Sequence, residues 1–449
     1  MKKSLLIPLL LATTLTSLAE VKLPAVLSSH MVFQREAPLH IWGTADPKEK
    51  VTIKFGDKTY DTITKADGSW LVGLPAYKAD GGQKHTLTVT GKNKIILKDI
   101  LIGDVWIGSG QSNMEWPLKG TEQGKEFIKG ANHPNIRLFH IPKVQANAPA
   151  SDVKATWKAS TPKSIPNFSA VLYHFGKELH EETNIPIGLI NSSWGGSPIE
   201  PWIVSDTASG KMYNGMIAPI TRFEVRGTIW YQGETNVIQN NGLAYTGKMK
   251  ALIEGWRTAF ENKDMPFYFV QIAPWANKRY ATGQLPALWE AQCATLKIPH
   301  TGMAVTTDIV HDIEDIHPRN KRDVGNRLGS WALAKSYQVK DVVYSGPLYK
   351  SMKVQGDKIL ITFAHVSKSL KSRDGNPLNE FQIAGADEKF VAAKADIDGK
   401  IVIVSARNVT NPRHVRFGWH RSANPNLINS AGLPASPFQT KNWTGGTGE

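Results

Sequence analysis

The sequence predicts an α/β fold, a mainly parallel sheet with helices on both faces, flanked by β-rich segments. Three observations predict it. Between about Ile102 and Trp331, apolar runs alternate with stretches of helical spacing, the pattern of strands joined by helical crossovers. Four of these runs lead into short polar signatures, and an open α/β sheet binds its ligands outside the carboxyl ends of its strands. Before and after this region, short alternating runs separated by turn signals give the pattern of β-structure.

In chain order, Met1 to Ala19 read as an export leader. Lys2 and Lys3 supply the positive start, Leu5 to Leu11 the apolar stretch, and Ser17-Leu18-Ala19 a small-residue cleavage site. The apolar stretch is too short to span a bilayer. Residues 20–100 carry runs such as Val51–Phe55 and Leu87–Thr90, with a hairpin signal at Ala66-Asp67-Gly68-Ser69, and predict an N-terminal β-sandwich domain. Residues 101–340 form the predicted α/β unit. Within it, Met249, Leu252, Ile253, Trp256 and Phe260 mark one buried helix face, and a last helix runs from Asn320 through Trp331 behind Pro318. Residues 341–440 turn β-rich again, with a second hairpin signal at Asp398-Gly399, and 441–449 form a tail expected to be disordered.

Composition excludes several classes. The chain of 449 residues has a formal charge of +14, two of its lysines lying in the leader, but the basic residues are scattered. Nucleic-acid binding wants a clustered stripe and a recognisable module, and neither is present. No stretch after the leader is apolar enough to cross a membrane. The single cysteine, Cys293, rules out an intramolecular disulfide; it sits in what reads as an amphipathic helix and is a poor nucleophile candidate. A periplasmic or secreted protein held together by packing fits these facts.

The chemistry lies in the signatures. Gly108-Ser109-Gly110-Gln111-Ser112-Asn113 follows Asp104–Ile107, Asn191–Gly196 follows Ile187–Ile190, and Gln232–Asn236 follows Thr228–Tyr231. Asp315-Ile316-His317-Pro318 follows the run Met303–Thr306 after a loop. Ser112 is the leading nucleophile, and a serine hydroxyl needs a base to take its proton. Gly-Gln-Ser-Asn-Met is not the Gly-x-Ser-x-Gly elbow, and Asn113 breaks the dinucleotide-binding glycine spacing. Among thirteen histidines, His317 is the best base, in a loop carrying Asp308, Asp312, Glu314 and Asp315. His311 is the rival, and no zinc spacing is present. Gly195, Gly196, Gln232, Gly233 and Asn236 suit an oxyanion hole of backbone and amide donors. Glu234 either orients neighbours or stands as a surface charge. Trp116, Trp194 and Trp202 are candidate walls for a sugar face, while Trp106 and Trp230 lie in core strands.

Taken together, residues 110–118, 193–200, 214–219, 230–236, 315–321 and 426–438 resemble the sialate O-acetylesterase family. The resemblance covers nearly all of the chain after the leader. It implies an SGNH-hydrolase-like α/β/α sandwich and serine-dependent deacetylation of O-acetylated sugars, without metal or organic cofactor. Ser112 matches the family nucleophile and His317 its base. The Gly195-Gly196 and Gln232–Asn236 loops, with Gln111 and Trp194 beside them, match the oxyanion and substrate region. SGNH hydrolases place the triad aspartate three residues before the histidine, where this chain has Glu314; Asp315 has the expected type but stands two before. The acid is therefore Asp315 or Glu314, with Asp308 and Asp312 behind, or the pair acts as a dyad. Sialic acids are the expected substrate. Acetylxylan or another acetylated polysaccharide is the alternative, and a non-catalytic glycan-binding protein is the alternative from another class.

Overall fold

The computed structural model describes residues 20–204 and 209–448, so the expected leader lies outside the described residues. A mainly parallel sheet with helices on both faces forms the centre, as the alternation predicts. Its strands are β1 (Lys94–Gly110), β2 (His133–His140), β3 (Trp157–Ser160), β4 (Ile187–Ser193), β5 (Gly227–Tyr231), β6 (Phe267–Val270) and β7 (Thr301–Ala304). Their order is β7-β6-β5-β1-β4-β2-β3, parallel throughout except for β3 against β2. The chain leaves β1 toward one edge and later returns to its other side. A crevice therefore opens at the carboxyl end of β1, the switch point at which open sheets bind ligands.

The helices that matter are α1 (Ser112–Glu115), α2 (Ala170–Thr183), α3 (Glu234–Ile238), α4 (Tyr245–Ala259), α5 (Gln284–Thr295) and α6 (Lys321–Lys335). Met249, Leu252, Ile253, Trp256 and Phe260 are buried, the face read from spacing. Asn320 caps α6 by accepting from the Asp323 N–H at 3.1 Å, which fixes its start one residue later than read. The Cys293 helix is not amphipathic. From Leu285 to Thr295 only Ala287 escapes full burial, because the C-terminal segment covers the face that would meet solvent. Burial raises the Cys293 thiol to about 12, which leaves it unreactive.

Around this centre, β1 runs through the expected boundary at residue 100 without a break. Its first half pairs antiparallel with His85–Thr90, its middle parallel with Val32–Gln34, and its last seven residues parallel with β4. The N-terminal strands and the α/β unit share one hydrophobic core, whereas the strands from Ile359 to Phe438 enclose a second. The Asp67-Gly68 turn closes locally, the Gly68 N–H donating to the Lys65 carbonyl at 3.0 Å and the Lys65 N–H to that of Ser69 at 2.9 Å, but it does not join two paired strands. Lys58–Ile63 pairs with Lys50–Phe55 while Ser69–Leu74 pairs with Leu39–Thr44, so the turn carries the chain between two sheets. The tail is also ordered in part. Thr444 donates its N–H and hydroxyl to Glu290 at 3.0 and 2.8 Å, and the Gly446 N–H donates to the Cys293 carbonyl at 2.9 Å.

Candidate active site

Register builds the site. Gly110 of β1 lies opposite Ser193 of β4 on one side and Tyr231 of β5 on the other. Three adjacent strands thus end level, and the residues two positions further on, Ser112, Gly195 and Gly233, emerge side by side. Gly110 permits this closeness. Its φ is +132°, and a Cβ there would stand 2.2 Å from the Tyr231 carbonyl oxygen.

Ser112 opens α1, and its Oγ lies 2.9 Å from Nε2 of His317, brought over by the long loop after β7. The Trp116 ring stacks on the imidazole with centroids 4.5 Å apart at 25°, which holds the ring in plane. Burial and the neighbouring Lys321 hold His317 below the ordinary imidazole value, with Asp315 opposing them. The ring is therefore neutral at neutral pH and free to accept a proton.

The four carboxylates of the loop separate cleanly. Asp315 Oδ1 accepts the His317 backbone N–H at 2.8 Å and stands 3.7 Å from Nδ1, too far for a hydrogen bond but close enough for charge to act. Glu314 is exposed, and its backbone carbonyl, not its carboxylate, is engaged, accepting from Trp275 Nε1 at 3.0 Å. Asp308 is gripped by both terminal nitrogens of Arg327 at 2.7 Å. Asp312 Oδ1 accepts the Glu314 N–H at 2.9 Å and only shapes the turn. His311, the rival base, pairs with Glu122 on the surface.

The expected oxyanion set divides. The N–H groups of Ser112 and Gly196 make no hydrogen bond among the described residues, and Gly196 (φ +76°) has nothing within 4 Å of where a Cβ would be. The Gly195 N–H holds an anionic oxygen already, donating to Glu115 Oε2 at 2.6 Å. The side chains of Gln232 and Asn236, both 0% exposed, are corrected out of the donor role. Gln232 Nε2 donates to Asn236 Oδ1 at 2.7 Å, to Gln111 Oε1 at 3.1 Å and to Ser197 O at 3.2 Å. Asn236 Nδ2 donates to both oxygens of Glu200, and its Oδ1 accepts the Ile199 N–H at 3.0 Å. Buried and bonded to one another, these amides are a truss under the loops. Gln111 belongs to the same truss, and the Gly233 N–H approaches its Oε1 at 3.5 Å. Glu234 is buried, not a surface charge, and accepts from Asn113 at 2.6 Å.

A cleft of about 400 Å³ lies over Ser112 and His317, walled by Trp116, His140, Asn167 and Glu115. Trp194 stands half-buried beside it, with the Lys143 ammonium 6.0 Å from its ring centre. Trp202 is 0% exposed and bonded to Ser197 Oγ at 3.0 Å, so it is core and not wall. Sequence reasoning missed Glu115, Asn113 and Lys321. All three stand inside the quoted motifs, and Glu115 falls three residues after Ser112, one turn along the same helix face.

Comparisons with known proteins place the chain among carbohydrate esterases. Residues 102–337 match the family model described as carbohydrate esterase, sialic acid-specific acetylesterase. Human sialate O-acetylesterase is 29% identical over 433 residues, covering 84% of this chain and 82% of that protein. The rat sialate O-acetylesterase is 29% identical over 434 residues, covering 78% and 80%. The crystal structure of a carbohydrate acetylesterase from Xanthomonas citri superposes with a TM-score of 0.89 at 39% identity, over 94% of this chain and 100% of that one.

Proposed function

The chain belongs to the sialic acid-specific acetylesterase family of carbohydrate esterases, and we propose that it is an exported enzyme that removes O-acetyl groups from sialic acids through an acetyl-enzyme on Ser112. Membership makes it a carboxylic ester hydrolase; the substrate, the residues and the export are our reading. One observation carries the mechanism, the 2.9 Å approach of Ser112 Oγ to His317 Nε2 at the switch point of the sheet.

His317 takes the proton of Ser112 as Oγ attacks the acetyl carbonyl. The negative oxygen of the tetrahedral intermediate is received by the backbone N–H groups of Ser112 and Gly196, both unengaged in the free enzyme. Asp315 stabilises the imidazolium through charge. His317 then gives the proton to the departing sugar oxygen, which breaks the ester bond and leaves acetyl on Ser112. Water, deprotonated by the same imidazole, attacks the acetyl carbon; the bond to Ser112 Oγ breaks, Oγ takes the proton back from His317, and acetate leaves. The leader at residues 1–19 supports export, and the half-buried Trp116 and Trp194 support a sugar lying against the cleft.

The test is acetate release from O-acetylated sialic acid and from acetylated xylan by the protein and its Ser112→Ala variant. The expected outcome is release from sialic acid, reduced about 10⁴-fold or more in the variant. Release from xylan alone would keep the nucleophile and replace the substrate. Undiminished release by Ser112→Ala would refute the mechanism.

A further inference from the structure

Behind Ser112 and His317 lies a pair of buried charges that the acyl-transfer steps do not use. Lys321 opens α6 and is 0% exposed. Its ammonium donates to Asn113 Oδ1 at 2.5 Å and lies 5.5 Å from the Tyr231 ring centre and 6.0 Å from that of Trp116. A cation there is opposed twice. Burial strips its water, and the first turn of a helix carries the positive end of the macrodipole. Only one of its three N–H groups finds a hydrogen-bond acceptor among the described residues. Across Asn113, Glu234 is 3% exposed; its Oε1 accepts from Asn113 Nδ2 at 2.6 Å, while Oε2 is buried without a partner among the described residues. Buried polar atoms are nearly always satisfied, so two opposite charges left half-satisfied around one amide call for a role beyond stability.

The role follows from what Asn113 holds. It is the residue after Ser112, and its Nδ2 also donates to the carbonyl of Ile316, the residue before His317, at 3.0 Å. One side chain thus ties the nucleophile's turn to the base's loop. Its orientation is dictated by the charges on either side: the ammonium takes the carbonyl oxygen, the carboxylate the NH₂. Lys321 also faces Trp116, whose ring stacks on the imidazole.

We infer that Lys321 is a positioning residue of the esterase: against Glu234 it orients Asn113, which sets the Ser112–His317 distance, and it keeps a positive charge behind the imidazole. This rests on the reading of Ser112 and His317 as the reacting pair. The charged and titratable groups facing His317 are Asp315 on its own loop, Lys321 on α6, Glu115 of α1 with its partner Lys143, and Lys119 and His140 across the cleft.

The experiment measures kcat, KM and the pH profile of kcat/KM with 4-nitrophenyl acetate, together with fluorophosphonate labelling of Ser112. Lys321→Met removes charge and donor at similar length. Its kcat falls about 10²-fold with KM little changed, and its acid limb moves up as the opposing charge leaves the imidazole. Lys321→Gln keeps a donor for Asn113 without charge, so it regains most of the kcat but keeps the raised limb. Asn113→Ala cuts the tie and leaves the charge, so kcat falls while the limb stays. Circular dichroism and thermal melts accompany each variant; if Lys321→Met does not fold, Lys321→Gln and Asn113→Ala carry the same two readouts. Folded Lys321 variants with the wild-type kcat and an unmoved limb overturn the inference. Wild-type turnover without labelling of Ser112 would instead overturn the nucleophile itself.

Discussion

Strand β1 carries a buried charged cluster near each end of its parallel half, and the two are built on opposite principles. At the amino end, Asp104 is 0% exposed and fully met. Gln34 Nε2 donates to it at 2.8 Å, Arg35 Nε at 3.0 and 3.1 Å to its two oxygens, and Arg226 Nε at 2.7 Å. Three segments, the N-terminal strand, β1 and the entry to β5, are pinned by one carboxylate. At the carboxyl end, among the described residues, Glu234 keeps one oxygen without a partner, and Lys321 has a single acceptor. Burial pushes Lys321 down to about 7 and Glu234 up, the mark of charges buried with too few partners. A saturated buried charge locks architecture, while an under-satisfied one stores electrostatic potential where chemistry can use it.

The largest expected effect tests the amino end. Asp104→Asn leaves two arginines with only the exposed Glu36 as countercharge and lowers stability by about 3–5 kcal/mol. Urea denaturation reads the loss, while kcat per folded molecule stays as in wild type. Lys321→Met behaves oppositely, because it removes a charge that burial already penalises and Glu234 can take up a proton. Its melting temperature is no lower than wild type although its kcat falls. Equal stability losses in the two variants would collapse the contrast.

A smaller effect sharpens the carboxyl end. Asp315→Asn keeps an acceptor for the His317 N–H but loses the charge 3.7 Å from Nδ1. We expect kcat/KM to fall about 10–100-fold, or roughly 1.4–2.7 kcal/mol of transition-state stabilisation. That is less than a tightly bonded triad aspartate supplies, since no Nδ1–H bond is lost. Glu314→Gln, at an exposed side chain, stays within about twofold of wild type, as surface substitutions do. The reverse ranking would reassign the acid to Glu314.

How far this contrast was readable in advance depends on what a local pattern encodes. The ends of β1, β4 and β5 were legible, because glycines and small polar residues interrupt apolar runs where a parallel strand meets its ligand. The Asp398-Gly399 turn was legible too, as Lys394–Asp398 and Ile401–Ser405 pair directly across it. Asp67-Gly68 was not, because a turn signal states that the chain bends, not which strand it then joins. The amides of Gln232 and Asn236 suited an oxyanion hole by type alone; sequence does not reveal whether their protons face substrate or each other. Trp202 failed in the same way. The continuity of β1 through residue 100 was hidden by its own halves, one charged and largely at the surface, the other mostly apolar and wholly buried. Lys321 left the one usable trace, a cation immediately after a cap residue, in the helix turn where acidic residues are favoured.

The smallest effect separates buried from surface charge in the field at His317. The imidazole must be neutral to act, so activity falls as pH drops through its folded value, which burial and Lys321 hold below the ordinary one. The acid limb of kcat/KM therefore lies below about 6.5. Exposed Lys119 and half-exposed Lys143 also stand near the cleft, and either could be credited with part of that displacement. Salt distinguishes them, since the screening length shrinks from about 10 Å at 0.1 M to about 3 Å at 1 M and acts on exposed charges far more than on buried ones. Lys321, with 0% exposure, is shielded from counterions by the protein itself. The limb is accordingly expected to move by less than about 0.3 pH unit between 0.1 and 1 M sodium chloride. A limb that climbs to the ordinary imidazole value at high salt would assign the field to the surface lysines and leave Lys321 to hold Asn113 alone.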